Sequence, residues 1–244
     1  MIDVIPEGWP FLLGAVFLAG TVRGFSGFGN AMVYLPIAAQ VLNPVEALVS
    51  LAAMDILGPL PTAFRARKDT APKELWRILL GFLVMLPIGL FVLTRMTSDT
   101  YQTVIGLSIL VILGLLMSGW RYRGALTSPI LFGTGSAAGI LGGISGLAGP
   151  PVILMYMVSQ KGPRAVRANI TCFLVAVDVL LIAVLHVVYG ALTWPPVLIG
   201  SMLMVPYALA TLVGERLFNP AHETLYRWVA YAIIGASALS TLLV

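Results

Sequence analysis

Apolar residues form long runs along the chain, and short polar segments separate these runs. Three of the runs have about 20 residues each, the length that a helix needs to cross the hydrocarbon core of a bilayer: Leu75–Thr94, Trp194–Gly214 and Thr224–Val244. The sequence does not show the short alternating strands of a membrane barrel. The pattern therefore predicts an all-α protein that crosses a membrane several times.

The composition agrees with this pattern. Of the 244 residues, 59% are hydrophobic and 10% are charged, whereas a soluble domain has about 25% charged residues. The net charge of +4 comes from basic residues beside apolar runs, where they orient the chain, so no nucleic-acid partner is expected. The N-terminus carries Asp3 and Glu7 and no basic residue, so we expect no cleavable signal peptide. The single cysteine, Cys172, excludes an intrachain disulfide and a cysteine metal cluster.

An internal repeat appears when the chain is shifted by 119 residues against itself. GFSGFGNAMVYL (Gly24–Leu35) then aligns with GISGLAGPPVIL (Gly143–Leu154), and Pro87 aligns with Pro206. Glycines, serines and prolines that match at a single shift are not expected by chance, even in an apolar chain. The sequence therefore predicts two related halves, 1–122 and 123–244, with a linker at residues 121–124.

Each half begins with an unusually long apolar segment, residues 9–41 and 128–159. Both segments contain glycines near the middle, so we expect each to break into two arms of about 10–14 residues. Such an arm is about 15–21 Å long, which is shorter than the hydrocarbon core of about 30 Å. The two arms either stack into one interrupted crossing or fold back as a re-entrant hairpin.

The basic residues in the loops separate these alternatives, because cytoplasmic loops are rich in Lys and Arg. Eight simple crossings place seven basic residues on one side and six on the other. Two re-entrant hairpins place twelve inside and Arg95 alone outside, with Arg23 at a hairpin tip. The second layout is therefore predicted, with hairpins at 9–41 and 128–159 and spans at 45–64, 75–94, 100–120, 165–189, 194–214 and 224–244.

Each half of this layout crosses the membrane an odd number of times, so we expect the halves to be inverted, with both termini outside. Inverted repeats are a recurring architecture of secondary transporters, whose binding site lies near the midplane between the repeats. The two glycine-rich tips, residues 24–30 and 143–150, are expected to approach each other there from opposite faces. A new helix follows each tip, and its free N–H groups favour an anion.

The tips and their surroundings supply the candidate substrate-binding residues. An arginine inside a membrane is unfavourable and is therefore a functional candidate; Arg23 either binds an anion or pairs with an acid to fix the hairpin. Ser26 and Ser145 either offer hydroxyls to an oxyanion or are small residues that let helices pack closely. We expect Asn30 to cap the arm after the first tip, and Pro150 to lie in the first turn of the arm after the second. The full set is Arg23, Gly24, Ser26, Gly27, Asn30, Ser145, Gly146, Gly149, Pro150 and Asn169.

Two acids, Asp55 and Asp178, lie within predicted spans. Each is a candidate either to neutralise Arg23 or to carry a coupled proton, because an acid inside the membrane is a functional candidate by default. The alternative is a carboxylate that hydrogen-bonds a neighbouring helix. The sequence leaves proton coupling open.

Enzyme motifs are not found in the sequence. Ser26 and Ser145 have glycine two residues before but Phe28 or Leu147 two residues after, so neither is a G-x-S-x-G nucleophile. The two histidines are not part of an H-E-x-x-H zinc motif. GTGSAAG (Gly133–Gly139) lacks the βαβ context of a dinucleotide site, and we interpret it as a helix-packing motif. We therefore predict no enzyme activity, no cofactor and no metal.

The two turns and their surroundings resemble a known family. GFSGFG and GGISGLAGPP are each followed by an apolar arm and then by NPVEA (Asn43–Ala47) or GPRAVRANI (Gly162–Ile170). This order resembles the TauE/SafE family of sulfite exporters over nearly the full chain. The resemblance implies transport of a sulfur-containing anion, such as sulfite or a small organosulfonate, across the bacterial inner membrane. Motif support for a site is limited to the turn positions, Gly24–Asn30 and Gly143–Pro151.

The sequence thus predicts a multi-pass transporter of the inner membrane. It would export a small oxyanion through a midplane site, by movement of one half against the other. The alternative is an anion channel, or a carrier for another small oxyanion or a carboxylate. The expected partners are the small anion and the lipid bilayer, and the sequence leaves a homodimer open.

Overall fold

The computed structural model describes residues 6–57, 60–119, 124–156, 162–219 and 222–243. Within these ranges the chain forms helices and no strands, which confirms the prediction of an all-α membrane protein. The helices are α1 (Trp9–Ser26), α2 (Asn30–Ala38), α3 (Pro44–Leu57), α4 (Leu60–Ala66), α5 (Pro72–Leu93), α6 (Ser98–Met117), α7 (Ser128–Ser145), α8 (Gly149–Tyr156), α9 (Pro163–Val187), α10 (Trp194–Leu217) and α11 (Glu223–Leu242). Asp3, the linker residues 121–123 and residues 157–159 of the second predicted hairpin lie outside the described residues.

Five of the described helices are long and apolar enough to cross a membrane: α1, α5, α6, α10 and the part of α9 from Ala165 to Val187. Four of them correspond to predicted spans, at 75–94, 100–120, 165–189 and 194–214. The predicted span 45–64 corresponds to α3 and α4, which lie on either side of residues 58–59. The predicted span 224–244 corresponds to α11, which is not among the five.

The arms of the two predicted hairpins are unequal, so the expected length of 10–14 residues was wrong. The first arms, α1 and α7, have 18 residues each, and the second arms, α2 and α8, have 9 and 8. An 18-residue helix is about 27 Å long, close to the thickness of the hydrocarbon core. Helix α1 continues through Gly20 and Gly24 because these glycines pack against another helix, and the packing compensates for their low helix propensity.

The chain forms two compact units, and each unit combines segments from both predicted halves. Unit 1 contains Met1–Met54, Met96–Gly114 and Thr193–Val244, and unit 2 contains Asp55–Arg95 and Leu115–Leu192. Helices α7, α8 and α9 begin 119 residues after α1, α2 and α3, which is the shift found in the sequence. The division into halves at residue 122, and the inversion of those halves, stay predictions.

In unit 1, α1 packs along α10, and α2 packs against α11. The contact between α1 and α10 is close at two glycines of α1. A Cβ atom added to Gly20 would lie 2.8 Å from the Tyr207 carbonyl oxygen, and one added to Gly24 would lie 2.8 Å from the Gly214 Cα. Two backbones approach each other this closely only where the residues at the contact are small.

In unit 2, α5 packs along α7, and α8 and α9 pack beside them. Glycines at every fourth position of α7 face the backbone of α5. A Cβ atom added to Gly135 or Gly139 would overlap a carbonyl group of α5, and one added to Gly143 would lie 2.7 Å from the Gly89 Cα. This geometry confirms helix packing for Gly135 and Gly139 of the motif at 133–139, whereas Gly133 faces open space.

The outer faces of α5 and α10 are apolar. Val84, Ile88 and Phe91 of α5 and Val205 and Leu209 of α10 are each about half exposed. Exposed apolar faces of this size are unfavourable in water, whereas the acyl chains of a bilayer solvate them. The two helices are therefore suited to contact lipid.

Candidate functional site

The first predicted tip joins α1 to α2 through residues 27–29. Gly27, at the C-cap of α1, has a φ of 78°, and its N–H donates to the Arg23 carbonyl at 2.7 Å. Gly29, at the N-cap of α2, has a φ of 90°. Glycine adopts these left-handed conformations without the steric cost that other residues incur. The glycines therefore allow the chain to turn sharply between two helices that contact each other.

Arg23 lies in the last turn of α1 and is half-buried. The helix dipole favours a cation at this position, because the C-terminal end of a helix is negative. The next residue, Gly24, packs against Gly214 of α10, so in this structure it serves a helix contact. Arg23 thus lies beside the turn, as the sequence predicts, and its binding to a substrate stays a prediction.

Asn30 is not the N-cap of α2, so that expectation was wrong. The N-cap is Gly29, without a side-chain cap hydrogen bond, and Asn30 is the first residue of the helix. The left-handed conformation of Gly29 already directs its carbonyl into the helix, where it accepts from the Val33 N–H at 3.1 Å. Asn30 is instead buried, with 7% of its surface exposed.

The second predicted tip joins α7 to α8 in unit 2. Gly146, at the C-cap of α7, has a φ of 73°, and its N–H donates to the Gly142 carbonyl at 3.0 Å. Gly149 is the first residue of α8, and Pro150 lies in the first turn, as predicted. Proline is favourable there because the first N–H groups of a helix have no partner within it. Gly27 and Gly146, which align in the repeat, therefore have the same backbone conformation.

The hydroxyl groups of Ser26 and Ser145 are bound to the backbone. The Ser26 hydroxyl lies 2.6 Å from the Val22 carbonyl oxygen and 2.8 Å from that of Phe28. The Ser145 hydroxyl donates to the Leu141 carbonyl at 2.9 Å. A serine hydroxyl has a single proton to donate, so both protons are used within the turns in this conformation. Of the two interpretations that the sequence left open, this geometry favours the structural one.

Asn169 connects two helices of unit 2. It is completely buried on α9, and its Oδ1 accepts a hydrogen bond of 2.9 Å from the N–H of Ala71, the N-cap residue of α5. Its Nδ2 group has no hydrogen-bond partner among the residues that the structure describes. Asn169 therefore holds the start of α5 and keeps two N–H donors, which are the groups that bind an oxyanion.

We expect Asn169→Ala to destabilise the purified protein by about 1 kcal/mol, because the Ala71 N–H loses its acceptor. A lower apparent thermal midpoint in detergent, followed by fluorescence, would show this loss. Thr171→Ala is the control, since Thr171 is half-buried on the same helix, and its expected effect is within about 0.5 kcal/mol. Equal midpoints for both variants would mean that the bond to Ala71 does not stabilise α5.

Both candidate acids lie in unit 2. Asp55, near the end of α3, is 8% exposed, and Asp178, in the middle part of α9, is half-buried. Both carboxyl groups are therefore at least partly shielded from solvent within apolar helices. This placement suits a proton carrier and a helix-to-helix hydrogen bond equally, so both interpretations are kept.

The predicted site residues form two groups, one in each unit. Those of unit 1 are Arg23, Gly24, Ser26, Gly27 and Asn30, and those of unit 2 are Ser145, Gly146, Gly149, Pro150, Asn169 and the two acids. Within unit 1 the members surround one glycine turn. Within unit 2 four members surround the other turn, whereas Asn169 lies on α9 and contacts the start of α5. The approach of the two turns to each other stays a prediction.

Sequence reasoning did not select a group of buried hydroxyls in unit 1. Tyr34, Ser50 and Tyr101 are completely buried, and the hydroxyls of Tyr34 and Ser50 lie 2.8 Å apart. In unit 2, the Tyr156 hydroxyl donates to the Glu74 carboxylate at 3.5 Å. A polar residue within an apolar run could have indicated such a group. Its burial without a partner is unfavourable, so it is expected to meet another polar group. The signal is weak for tyrosine, whose ring itself suits an apolar run.

Long apolar helices with exposed apolar faces, together with two glycine turns that each begin a short helix, define a multi-pass α-helical membrane protein. The family described as "Sulfite exporter TauE/SafE" matches residues 12–241. The chain belongs to this family of membrane transport proteins, which confirms the resemblance found in its two turns. Neither a curated protein nor a solved structure gives a significant match.

Proposed function

We propose that the chain is a secondary transporter of the bacterial inner membrane that exports a small anion of the sulfite or organosulfonate type. The observation that carries the proposal is the family match over residues 12–241. The substrate class follows from the description of that family. Both termini are proposed to face the periplasm, because this orientation leaves Arg95 as the single basic loop residue outside.

The proposed binding site uses the two glycine turns. Arg23 supplies a positive charge beside the first turn, and the first N–H groups of α2 supply donors there. At the second turn the N–H of Gly149 is the first donor of α8, because Pro150 and Pro151 have no N–H. The buried Nδ2 group of Asn169 is a further donor. A half-buried cation and several N–H donors favour an oxyanion, because each of its oxygens accepts hydrogen bonds.

The proposed direction follows from the membrane potential. An inside-negative potential of 100 mV favours outward movement of each negative charge by about 2.3 kcal/mol, and of a dianion by twice this amount. Export therefore requires no coupling ion. Should a proton be coupled, Asp55 or Asp178 is the proposed carrier, because both lie within apolar helices.

Sulfite efflux from proteoliposomes that contain the purified full chain tests the proposal. We expect efflux to saturate with internal sulfite and to become faster when a potassium diffusion potential makes the interior negative. Protein-free liposomes provide the control. The proposal fails if neither sulfite nor methanesulfonate leaves the proteoliposomes faster than it leaves these controls.

The same preparation separates a carrier from an anion channel. In a carrier, external sulfite accelerates the release of labelled internal sulfite, because each sulfite that is carried inward returns the binding site to the inner face. In a channel, single-channel currents appear in a planar bilayer. A pH gradient at constant potential changes the efflux rate if a proton is coupled.

A further inference from the structure

Three buried hydroxyl groups of unit 1 form what we call the hydroxyl cluster: Tyr34 of α2, Ser50 of α3 and Tyr101 of α6. All three side chains are completely buried. The Tyr34 and Ser50 hydroxyls lie 2.8 Å apart. Tyr101 lies on α6 beside α2, since the side chain of the next residue, Gln102, donates to the Ala39 carbonyl at 2.9 Å. Three separate helices thus bring hydroxyls together in an apolar interior.

The protons of Tyr34 and Ser50 can be assigned from the distances. The Ser50 hydroxyl donates to the Ala47 carbonyl at 2.9 Å. Because a serine hydroxyl has one proton, the Tyr34 hydroxyl is then the donor in its bond with Ser50. The chain of bonds runs from Tyr34 to Ser50 to Ala47, and it uses both protons.

Tyr101 differs from the other two members of the hydroxyl cluster. Its hydroxyl has no hydrogen-bond partner in the described part of the chain, and its side chain is 0% exposed. A buried donor without a partner is unfavourable and is rare in folded proteins. The proton of Tyr101 is therefore available for a further hydrogen bond.

The hydroxyl cluster includes a residue of α2, the helix that begins at the first glycine turn. Tyr34 follows Asn30 by four residues on α2, so the two side chains are on the same face of the helix. Side chains of a helix tilt towards its N-terminus, and the N-terminus of α2 is at this turn. Tyr34 therefore lies one helical turn beyond Asn30 on the buried face of α2.

We propose that the hydroxyl cluster is a subsite for one oxygen of the transported oxyanion, with Tyr34 and Tyr101 as its two donors and Ser50 as a switch. This inference rests on the proposed function. On binding, Ser50 turns its proton from Ala47 to Tyr34, and the proton of Tyr34 becomes free to donate to the anion. Tyr101 donates its own proton to the same oxygen.

Two neutral donors at fixed positions favour an oxyanion over a halide. Hydrogen bonds are stronger in a poorly solvated interior than in water, and donors held in place require little reorganisation. The three hydroxyls are sealed from solvent in this structure. The anion therefore reaches them in a more open state, as an alternating-access cycle requires.

Tyr101→Phe tests the proposal, because it removes the hydroxyl and keeps the ring. We expect the purified full-length variant to bind sulfite and methanesulfonate about tenfold more weakly, with chloride affected less than twofold, because a hydrogen bond to an anion is lost. Isothermal titration in detergent measures the affinities. The thermal midpoint without ligand should stay equal or rise, since a buried donor without a partner has been removed.

Tyr189→Phe is the matched control, because the Tyr189 hydroxyl belongs to unit 2 and donates to the Pro87 carbonyl. It should leave both oxyanion affinities unchanged. Tyr34→Phe is the second test variant: it removes the other donor and should weaken the binding of both oxyanions as well. This variant keeps the test decisive if Tyr101→Phe does not fold.

The outcomes separate this subsite from the proposed function. If wild-type protein binds methanesulfonate and Tyr101→Phe binds it equally well, the subsite is overturned, and the hydroxyl is a structural group. If wild-type protein binds and transports no oxyanion, the proposed function fails together with the subsite. Weaker oxyanion binding with unchanged chloride binding and an undiminished midpoint supports the subsite.

Discussion

Gly135→Val is expected to leave little folded protein. A Cβ atom at position 135 would overlap the Ile78 carbonyl of α5, and a carbonyl group cannot rotate away as a flexible side chain can. Helices α5 and α7 would have to separate along their contact. Overpacking of a core usually costs about 1–3 kcal/mol, and we expect this variant at or above the upper end. The yield of monodisperse protein in size-exclusion chromatography and the thermal midpoint measure the effect.

Gly133→Val is the matched control for this prediction. Gly133 lies two residues earlier on the same helix, and a Cβ atom added to it would have no atom within 4 Å. The same substitution there should keep both the yield and the midpoint close to those of wild type. If the two valine variants behave alike, α7 does not approach α5 as closely as the structure describes.

Arg23→Gln is expected to reduce sulfite transport about tenfold to a hundredfold at low substrate concentration. The reason is the loss of a hydrogen bond between two charged groups, which contributes about 1.5–3 kcal/mol. Arg23→Lys keeps the charge but not the two-pronged geometry of the guanidinium group, so its activity should be intermediate. Initial efflux rates from proteoliposomes at several sulfite concentrations give KM and the maximal rate for each variant.

Arg216→Gln is the control for the loss of one positive charge in unit 1. Arg216 lies in the last turn of α10 and is exposed, so its removal should not change KM. The thermal midpoint separates binding from a structural role of Arg23. A lower midpoint with an unchanged KM for Arg23→Gln would mean that the arginine fixes the hairpin and does not bind the anion.

The long helices could be predicted from sequence because their length and apolar character are local properties. The predicted span 75–94 corresponds to α5, and 194–214 corresponds to α10. The arm lengths could not be predicted in this way. Gly20 and Gly24 are weak helix formers when considered alone, but they make close contact with residues of α10 almost 200 positions later in the chain.

The candidate site shows the same division between local and distant effects. The left-handed conformation of Gly27 and Gly146 is a local property of a sharp turn, and the glycine pattern was enough to predict the turns. The hydroxyl cluster was not predictable. The meeting of Tyr34, Ser50 and Tyr101 depends on how α2, α3 and α6 pack, and the spacing of residues along one helix does not contain that information.

The exchange of segments between the two halves has a consequence for biosynthesis. Helix α1 leaves the ribosome well before α10, the helix that covers its glycine face. Likewise, α5 belongs to the first half, and its partner α7 belongs to the second. Neither half can bury its glycine-faced helix alone, so tertiary packing of α1 must wait until α10 has been translated. Two separately translated fragments divided near residue 122 would each supply the missing partner of the other.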